Sequence, residues 1–289
     1  MINHETFDIR HAQGIIVPVM TPFEQSGPDV QVDIHSQDVH LQRLVDMGVS
    51  CVFLTSNAGE GRKMSIHDWQ TSVSEGIASV HRAEKDRSIP VFVGVLRDDM
   101  EEVIELAKFA EESGADALVF APGYTKGDML GNLTRLIQET SLPIMLYNNP
   151  EFQPDKQNIP IEFVHQVSQF DQVIGIKDTS RSYEYFKELL KLRDADTFHV
   201  VQGDTKTEHL NEQLADIDGM VPVEANVYLD ILLAAWEKGD TSRMQEMIDF
   251  FERYKKVYGG TLQMVKRLLH EVPTQIFSNA MMYPEQKSM

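Results

Sequence analysis

Cysteine is nearly absent from this chain of 289 residues, in which Cys51 is the one thiol. A single cysteine excludes an intrachain disulfide and any metal site that is built from several thiolates. It agrees with a reducing compartment, and we expect the protein to be cytoplasmic. The first residues, MINHETFDIRHAQ, do not show the basic and then apolar pattern of a secretory signal peptide.

Positive charge is scarce, and long apolar runs are missing. There are 26 Lys and Arg residues against 45 Asp and Glu, a formal net charge of -19. This excess of acid argues against nucleic acid and anionic membrane surfaces as partners, because both require a basic face. An anionic small molecule stays compatible if a few cationic or N–H groups gather in one pocket. No apolar stretch approaches the roughly 20 residues of a membrane-spanning helix.

The remaining composition is typical of a folded protein, with 42% hydrophobic and 25% charged residues. Short apolar runs alternate with longer amphipathic segments along the chain. Short apolar runs of this kind are typical of parallel strands that are buried on both faces. The eight strand candidates are Gly14–Met20, Val49–Leu54, Val91–Val95, Ala117–Ala121, Ile144–Tyr147, Val173–Lys177, His199–Gln202 and Gly219–Val223.

The segments between these runs have helical periodicity and recognisable ends. Asp98 and Asp99 precede the repeat MEEVIELAKFAEES, and Gly114 follows it as a stop signal. Ser65 and Asp68 form a capping-box pattern at the start of another helix. The strand candidates that end VPVM and MVPV each contain a proline, which is unfavourable inside a strand.

Eight successive strand–helix units predict the fold class α/β, as a closed (β/α)8 TIM barrel. A doubly wound open sheet is the alternative, but the chain has no dinucleotide-binding fingerprint. From about Gly239 the sequence reads as further helices without an intervening linker. We therefore expect one domain, with the barrel in residues 1–235 and a C-terminal helical extension in residues 236–289.

Lys177 is the most informative residue, because it ends the otherwise apolar run VIGIK. A period of two places Gly175 and Lys177 on one face and Ile174 and Ile176 on the other. Gly175 would leave room for the lysine inside the barrel, where poor solvation lowers the pKa of an amine. A neutral amine can attack a carbonyl group and form a Schiff base. The alternative is a strand-end lysine that is paired with Asp178 or another acid.

Two further features are expected at the same end of the barrel. Tyr147 ends the preceding strand, IMLY, and its phenol could move protons beside an imine. Its alternative role is a hydrogen bond to a loop carbonyl at the edge of the core. After the second strand, the turn SNAGEG offers Ser56, Asn57 and free backbone N–H groups for a carboxylate. The turn could equally be capped by its own side chains, and Glu60 is expected to anchor the loop.

These residues resemble a known family. The motif Tyr147–Pro150 (YNNP), with Lys177 thirty residues after Tyr147, resembles the paired signatures of the dihydrodipicolinate synthase/N-acetylneuraminate lyase family. The segment SNAGE, the pair Gly203-Asp204 and the eighth strand through Val221 to Asn226 are similar to other conserved parts of that family. The similarity covers nearly the whole chain in order and spacing.

The resemblance implies a class I lyase that uses no metal and no cofactor. Lys177 would form an imine with pyruvate or a larger 2-oxo acid, and an aldehyde would be the second substrate or product. Tyr147 would be the proton shuttle, Ser56, Asn57 and Ala58 would hold the carboxylate, and Val221 would line the site. Tyr124 matches a tyrosine that reaches into the neighbouring subunit's site, and the family implies a homo-oligomer, a dimer of dimers.

The chain also departs from the family pattern. Asn57 and Ala58 stand where dihydrodipicolinate synthases have two hydroxyl residues, and Gly123 replaces an aromatic residue. No arginine follows the YNNP motif, where the stretch is EFQP. These changes argue against the dihydrodipicolinate reaction itself. The motif Asn-Pro-Glu followed by an aromatic residue is similar to hydratase-aldolases of aromatic pyruvate adducts, and Arg62 and Arg181 are alternative anchors for a second acid group.

Three other functions compete with this interpretation. A sugar-phosphate aldolase would need a glycine-rich phosphate site after the seventh and eighth strands, and this chain has few adjacent glycines there. A metal-dependent aldolase would need a cluster of histidines and carboxylates, but no such spacing occurs. The altered turn after the second strand leaves a non-catalytic relative open, which would bind a 2-oxo acid or act as a scaffold.

Overall fold

The computed structural model describes residues 13–83, 89–203, 216–271, 276–277 and 281–284. Eight parallel strands close into a barrel. They are β1 (Gly14–Pro18), β4 (Cys51–Leu54), β5 (Val91–Gly94), β6 (Ala117–Phe120), β7 (Ile144–Asn148), β8 (Val173–Asp178), β9 (His199–Gln202) and β10 (Gly219–Met220). Around the barrel they follow the order β1-β10-β9-β8-β7-β6-β5-β4. The prediction of an α/β (β/α)8 barrel is therefore confirmed.

Helices cover the outside of this barrel. In the described part of the chain they are α1 (Ile34–Asp46), α2 (Ile66–Ala83), α3 (Met100–Ser113), α4 (Met129–Glu139), α5 (Ile161–Val167), α6 (Tyr183–Leu190), α7 (Ala225–Lys238), α8 (Thr241–Tyr254) and α9 (Thr261–Glu271). Among these described helices, none has the length and apolar character that crossing a membrane requires. The segment between β9 and β10, where the pattern predicts another helix, lies largely outside the described residues.

The predicted helix ends are where the cap chemistry places them. The Asp99 carboxylate accepts a hydrogen bond from the N–H of Glu101 at 2.8 Å, and α3 stops at Gly114, whose φ is 91°. The Ser65 hydroxyl accepts a hydrogen bond from the N–H of Asp68 at 3.0 Å. Local polar groups thus decide where the amphipathic segments begin and end.

Both prolines of the strand candidates lie at or beyond the end of a strand. β1 ends at Pro18, and β10 ends at Met220, before Pro222. The structure also contains a hairpin that was not predicted. Its strands are β2 (Phe23–Ser26) and β3 (Asp29–Val32), and the turn Gly27-Pro28 joins them. The turn signal was present in the sequence, but the strands FEQS and DVQV are largely exposed and have no apolar run.

The side-chain alternation predicted for β8 is wrong on one side of Gly175. Ile174 packs inside the barrel with Phe53 and Met145, whereas Ile176 packs in the layer between barrel and helices. The register with β7 shifts at this point, and Gly175 has a φ of 154°. A Cβ there would overlap the carbonyl oxygen of His199, so the glycine permits close approach of β9. The shift puts Lys177 on the inner face together with Ile174.

Asn226 joins the last turn of the barrel to the first strand. Its Oδ1 accepts a hydrogen bond from the N–H of Met20 at 2.9 Å, and its Nδ2 donates to the Pro18 carbonyl at 3.0 Å. His40 Nε2 lies 2.9 Å from the same Oδ1. Burial lowers the pKa of His40 to about 4, so the ring is neutral and donates this bond. These contacts hold the closing point of the barrel.

The C-terminal helices share the hydrophobic core of the barrel. Met244, Phe251 and Leu269 belong to the same buried cluster as residues of β1 and α1. The division at residue 235 falls inside α7, which continues to Lys238. The described C-terminal helices therefore pack on the barrel, and the division into residues 1–235 and 236–289 stays a prediction.

A buried ion pair ties α9 to the loop between β4 and α2. Lys266 Nζ lies 2.6 Å from Glu60 Oε1, and the two side chains are 0% and 1% exposed. Lys266 also donates to the carbonyl of Met281 at 2.8 Å, and the N–H of Tyr283 donates to Glu60 Oε2 at 3.2 Å. Burial lowers the pKa of Lys266 to about 8, although the Glu60 carboxylate opposes this. Glu60 is thus the loop anchor that the sequence suggested, and its partner comes from the C-terminal extension.

The substitution Lys266→Met should lower the free energy of unfolding by about 3 kcal/mol, because the buried Glu60 carboxylate keeps only the partly exposed Lys63, 3.8 Å away, as a cation. Urea denaturation followed by circular dichroism measures this loss. Lys187→Met is the matched control, since Lys187 forms an exposed ion pair with Glu184 at 2.8 Å and should leave the midpoint unchanged. Equal midpoints for Lys266→Met and the wild type would contradict the role of this pair.

Candidate active site

A cavity of about 260 Å³ opens at the carboxyl ends of the barrel strands. This is the end at which barrels of this type carry their functional residues. Six of the seven predicted site residues line it, namely Ser56, Asn57, Ala58, Tyr147, Lys177 and Val221. The seventh, Tyr124, lies behind Asn57 and does not line the cavity. The structure therefore brings the predicted residues to one place.

Lys177 and Tyr147 are direct neighbours across two parallel strands. The register of β7 and β8 pairs these residues, and they are 6% and 3% exposed. Lys177 Nζ lies 4.2 Å from the centroid of the Tyr147 ring and 5.2 Å from that of Phe53. Room for the lysine comes from Gly203, where a Cβ would stand 2.8 Å from Lys177 Cε. Gly175, to which the sequence argument gave that role, serves the contact with β9 instead.

The next pair of residues along the two strands fixes their ends. Asn148 Nδ2 donates to Asp178 Oδ1 at 2.7 Å, and the Ser180 hydroxyl donates to Asp178 Oδ2 at 2.7 Å. Asn148 Oδ1 accepts the N–H of Ile159 at 3.0 Å. Asp178 is therefore bonded to the strand ends, and no hydrogen bond or salt bridge between its carboxylate and Lys177 is found in the described part of the chain.

The Tyr147 hydroxyl lies among hydrogen-bond donors. Asn149 Nδ2 donates to it at 3.0 Å, and Asn57 Nδ2 donates at 3.4 Å. Burial by itself raises the pKa of this phenol, but the positive charge of Lys177 and the Asn149 amide outweigh burial, and the net pKa is lowered. The site thus favours the phenolate more than water does, which suits a group that accepts and returns a proton.

The turn after β4 presents polar groups to the cavity from the opposite side. The Ser56 hydroxyl accepts a hydrogen bond from the N–H of Gly59 at 3.1 Å, and the Ser56 carbonyl accepts that of Gly61 at 3.0 Å. In the described residues, no protein acceptor pairs with the backbone N–H of Asn57 or Ala58. Two such neighbouring donors can bind a carboxylate.

Tyr124 belongs to the site of its own chain. It is 2% exposed and packs inside the barrel, where its hydroxyl accepts a hydrogen bond from Asn57 Nδ2 at 3.0 Å. That this side chain also reaches a neighbouring subunit stays a prediction from the family resemblance. Gly123 allows the inward path of the loop, because a Cβ there would overlap the side chain of Gln153. Burial strongly raises the pKa of Tyr124, with the Tyr147 phenol as the next cause.

Arginine and aromatic side chains form the outer part of the site. The guanidinium of Arg62 lies 4.7 Å from the ring centroid of Tyr124 and 5.8 Å from that of Phe152. Phe152 is 43% exposed and lines the mouth of the cavity. Arg181 also lines the cavity and lies 3.4 Å from Glu151. Of the two arginines proposed as anchors, Arg181 reaches the cavity, while Arg62 stacks behind its rim.

Several residues of the site were not predicted. Asn149 stood in the quoted motif without a role, and its contact with Tyr147 depends on how the chain turns after β7. Thr261 and Leu262 of α9 close one side of the cavity. The one available signal for the role of α9 was Lys266, a lysine on the apolar stripe of an amphipathic helix.

The structure gives no described role in the candidate site to Asp204, to a metal-binding cluster or to Cys51. Asp204 of the pair Gly203-Asp204 lies outside the described residues, so only Gly203 can be placed, at the cavity wall. Within the described ranges, no group of three or more His, Cys, Asp and Glu side chains is arranged to hold a metal ion. Cys51 is buried in the barrel interior, and burial raises the pKa of its thiol well above the usual value.

Comparisons with known proteins agree with this geometry. The chain is 26% identical over 252 residues to an uncharacterized DapA-like lyase of Thermococcus kodakarensis, covering 85% of this chain and 82% of the relative. It is 26% identical to a 4-hydroxy-tetrahydrodipicolinate synthase of Methanococcoides burtonii, covering 81% and 79% of the two chains. Both similarities therefore span most of each protein.

Solved structures show the same fold at lower identity. A prophage protein of the dihydrodipicolinic acid synthase family from E. coli K12, solved in complex with pyruvate, superimposes with a TM-score of 0.79 at 23% identity, covering 95% and 94% of the chains. A dihydrodipicolinate synthase of Bacteroides thetaiotaomicron gives a TM-score of 0.75 at 23% identity and the same coverage. The model of the Dihydrodipicolinate synthetase family matches residues 11–270. The chain therefore belongs to the dihydrodipicolinate synthetase family, whose members are lyases.

Proposed function

We propose that this protein is a Schiff-base lyase that joins an aldehyde to a 2-oxo acid such as pyruvate, or cleaves or dehydrates the adduct. The observation that carries the proposal is the pairing of Lys177 with Tyr147 across β7 and β8 inside a cavity. The related E. coli protein was solved in complex with pyruvate, which supports a 2-oxo acid as the ligand. No metal and no cofactor take part in this proposal, because the covalent imine on Lys177 is the electron sink.

The turn after β4 is the proposed site for the carboxylate of the 2-oxo acid. Ser56, Asn57 and Ala58 line the cavity opposite Lys177. The backbone N–H groups of Asn57 and Ala58 would donate to the carboxylate. Holding that group at the turn presents the adjacent keto carbon to the amine, and this positioning is itself a large part of the rate enhancement.

Imine formation requires a neutral amine and a proton for the departing oxygen. In the proposed sequence, the Tyr147 phenolate takes a proton from the Lys177 ammonium, and the amine adds to the keto carbon. One N–H proton of the adduct moves to the former keto oxygen, which gives the neutral carbinolamine. Tyr147 then returns its proton to the carbinolamine hydroxyl, which leaves as water while the nitrogen lone pair forms the C=N bond of the protonated imine. The lowered pKa of Tyr147 suits this exchange, because one group must act as base and then as acid.

Tyr124 bears on the proposed assembly. By family resemblance we propose a cytoplasmic homo-oligomer, arranged as a dimer of dimers. In this chain, however, Tyr124 already contacts Asn57 of its own barrel. Whether assembly also carries this tyrosine to a neighbouring site is part of the same proposal.

A second candidate function is the hydratase-aldolase reaction of aromatic pyruvate adducts. The mouth of the cavity favours it, since Phe152, Val223 and Leu262 give an apolar surface where a second carboxylate would be poorly solvated. Arg181 is the one cation in the cavity lining apart from Lys177 among the described residues, and it is bridged to Glu151. A non-catalytic 2-oxo-acid-binding or scaffold protein is the remaining alternative.

Borohydride reduction in the presence of pyruvate should fix a pyruvate-derived adduct on Lys177, because the reagent reduces the imine to a stable amine. Peptide mass spectrometry identifies the modified residue. Lys177→Arg should give no adduct and serves as the control. If no adduct forms on Lys177 with pyruvate or any of several other 2-oxo acids, the scaffold alternative replaces the enzyme.

The substitution Tyr147→Phe should lower kcat by about 10²–10⁴-fold, since it removes the group that moves protons while keeping the ring. Steady-state kinetics on a substrate found by screening aldehydes with pyruvate measures the loss. Tyr254→Phe removes an exposed hydroxyl on α8 and should leave kcat unchanged. An unchanged kcat in Tyr147→Phe would remove the role assigned to this phenol.

The aromatic alternative makes a separate prediction. Phe152→Ala should raise the KM for an aromatic aldehyde by about tenfold, through the loss of ring stacking at the mouth, and leave the KM for pyruvate unchanged. Phe250→Ala is the matched control, because Phe250 is a similarly exposed ring, 41% accessible, on α8. An equal KM for aromatic and short aliphatic aldehydes in the wild type would argue against this alternative.

A further inference from the structure

The amide of Asn57 connects two phenols of the same chain. Its Nδ2 lies 3.0 Å from the Tyr124 hydroxyl and 3.4 Å from the Tyr147 hydroxyl. The two rings are 6.0 Å apart at an interplanar angle of 62°. Asn149 adds a second amide donor to Tyr147 at 3.0 Å. The Tyr147 oxygen thus accepts from two amides that come from different strand ends.

An amide at position 57 differs from a hydroxyl in whether it can relay a proton. A hydroxyl donates through its hydrogen and accepts through the same oxygen, so it can relay a proton between two neighbours. The amide of Asn57 donates through nitrogen and accepts through a separate oxygen, so a proton cannot cross it from one phenol to the other. The connection between Tyr147 and Tyr124 is therefore structural and electrostatic.

The surroundings act on the two phenols in opposite directions. For Tyr147, burial raises the pKa, but the charge of Lys177, the Asn149 amide, the Thr179 hydroxyl and, last, the Asn57 amide outweigh it and leave the pKa lowered. For Tyr124, burial and the neighbouring Tyr147 raise the pKa, and the Asn57 amide only partly offsets them. Among the described residues, the charged side chains around this pair, in the cavity or stacked on its rim, are Lys177, Arg62, Glu151, Arg181 and Glu224.

From these contacts we infer that Asn57 is a positioning residue that holds the Tyr147 phenol in place as the proton acceptor of the site and ties it to Tyr124. The inference rests on the proposed Schiff-base function. In the step concerned, the Tyr147 phenolate takes a proton from C3 of the protonated pyruvate imine, the iminium ion. The C–H electron pair becomes the C2=C3 bond, and the C=N π pair moves to nitrogen, which gives a neutral enamine. The proton passes to Tyr147 and does not leave it through the amide of residue 57.

Exchange of the pyruvate methyl hydrogens in D₂O, followed by NMR, tests this inference without knowledge of the aldehyde. The rate should fall on the acid side of its pH profile, where Tyr147 becomes protonated. In Asn57→Ala this acid limb should move to higher pH by about one unit, because a donor to the phenolate is removed. At pH values below the limb, the exchange rate should then be about tenfold lower than in the wild type. Asn57→Asp, which keeps the shape but replaces the donor by an acceptor, should move the limb at least as far. In Asn57→Thr the limb should lie close to its wild-type pH, since a hydroxyl can again donate to the phenolate.

The matched controls are the same changes at Asn132, whose amide donates to the Lys126 carbonyl on the surface of α4. They should leave the limb unchanged. The turn around Asn57 is held by backbone bonds, such as that from the N–H of Glu60 to the Asn57 carbonyl at 3.1 Å, so the variants should keep the fold. Borohydride trapping on Lys177 separates the two proposals. A trapped adduct together with an unmoved limb in Asn57→Ala and Asn57→Asp would overturn the role of Asn57 alone, whereas failure to trap in the wild type would overturn the Schiff-base function.

Discussion

The pairing of β7 with β8 is the constraint on which the candidate site depends. It sets Tyr147 beside Lys177, and the next pair, Asn148 with Asp178, locks the strand ends by a hydrogen bond of 2.7 Å. The register shift at Gly175 rotates the end of β8 so that the lysine points inward. A side chain at position 175 would collide with β9, so the geometry of the amine depends on a glycine two residues away.

The C-terminal helices are part of the support of this site. Lys266 on α9 reaches the buried Glu60 in the turn that faces Lys177, and Thr261 and Leu262 of the same helix close the cavity. Breaking a buried ion pair leaves a charge without its partner, which is costly in a medium of low polarity. The stability of the extension and the shape of the turn are therefore coupled through one contact. Arg97 supports the same loop, since it donates to the carbonyl of Met64 at 3.0 Å.

The features that the sequence predicted well are those that depend on neighbours along the chain. Seven of the eight strand candidates coincide with barrel strands to within two residues at each end, and only the β10 candidate runs three residues past its strand. The caps at Asp99 and Ser65 are also where they were expected. The β2–β3 hairpin was not predicted because its strands are short and mostly polar, with only Phe23 and Val32 buried, and therefore lack the apolar signal of a buried strand. Strict alternation failed at Ile174, because a shift of register between strands cannot be read from one strand alone.

By itself, the sequence determined the barrel, the carboxyl-terminal strand ends as the place for chemistry, and the lysine and tyrosine that meet there. Apolar runs and turn residues are local properties, and parallel strands of a closed barrel present their ends on one side. Only the tertiary structure decided that Tyr124 contacts Asn57, that Asn57 joins two phenols and that Lys266 holds Glu60. These contacts join residues 67 to 206 positions apart, and their formation depends on how loops fold over the finished barrel.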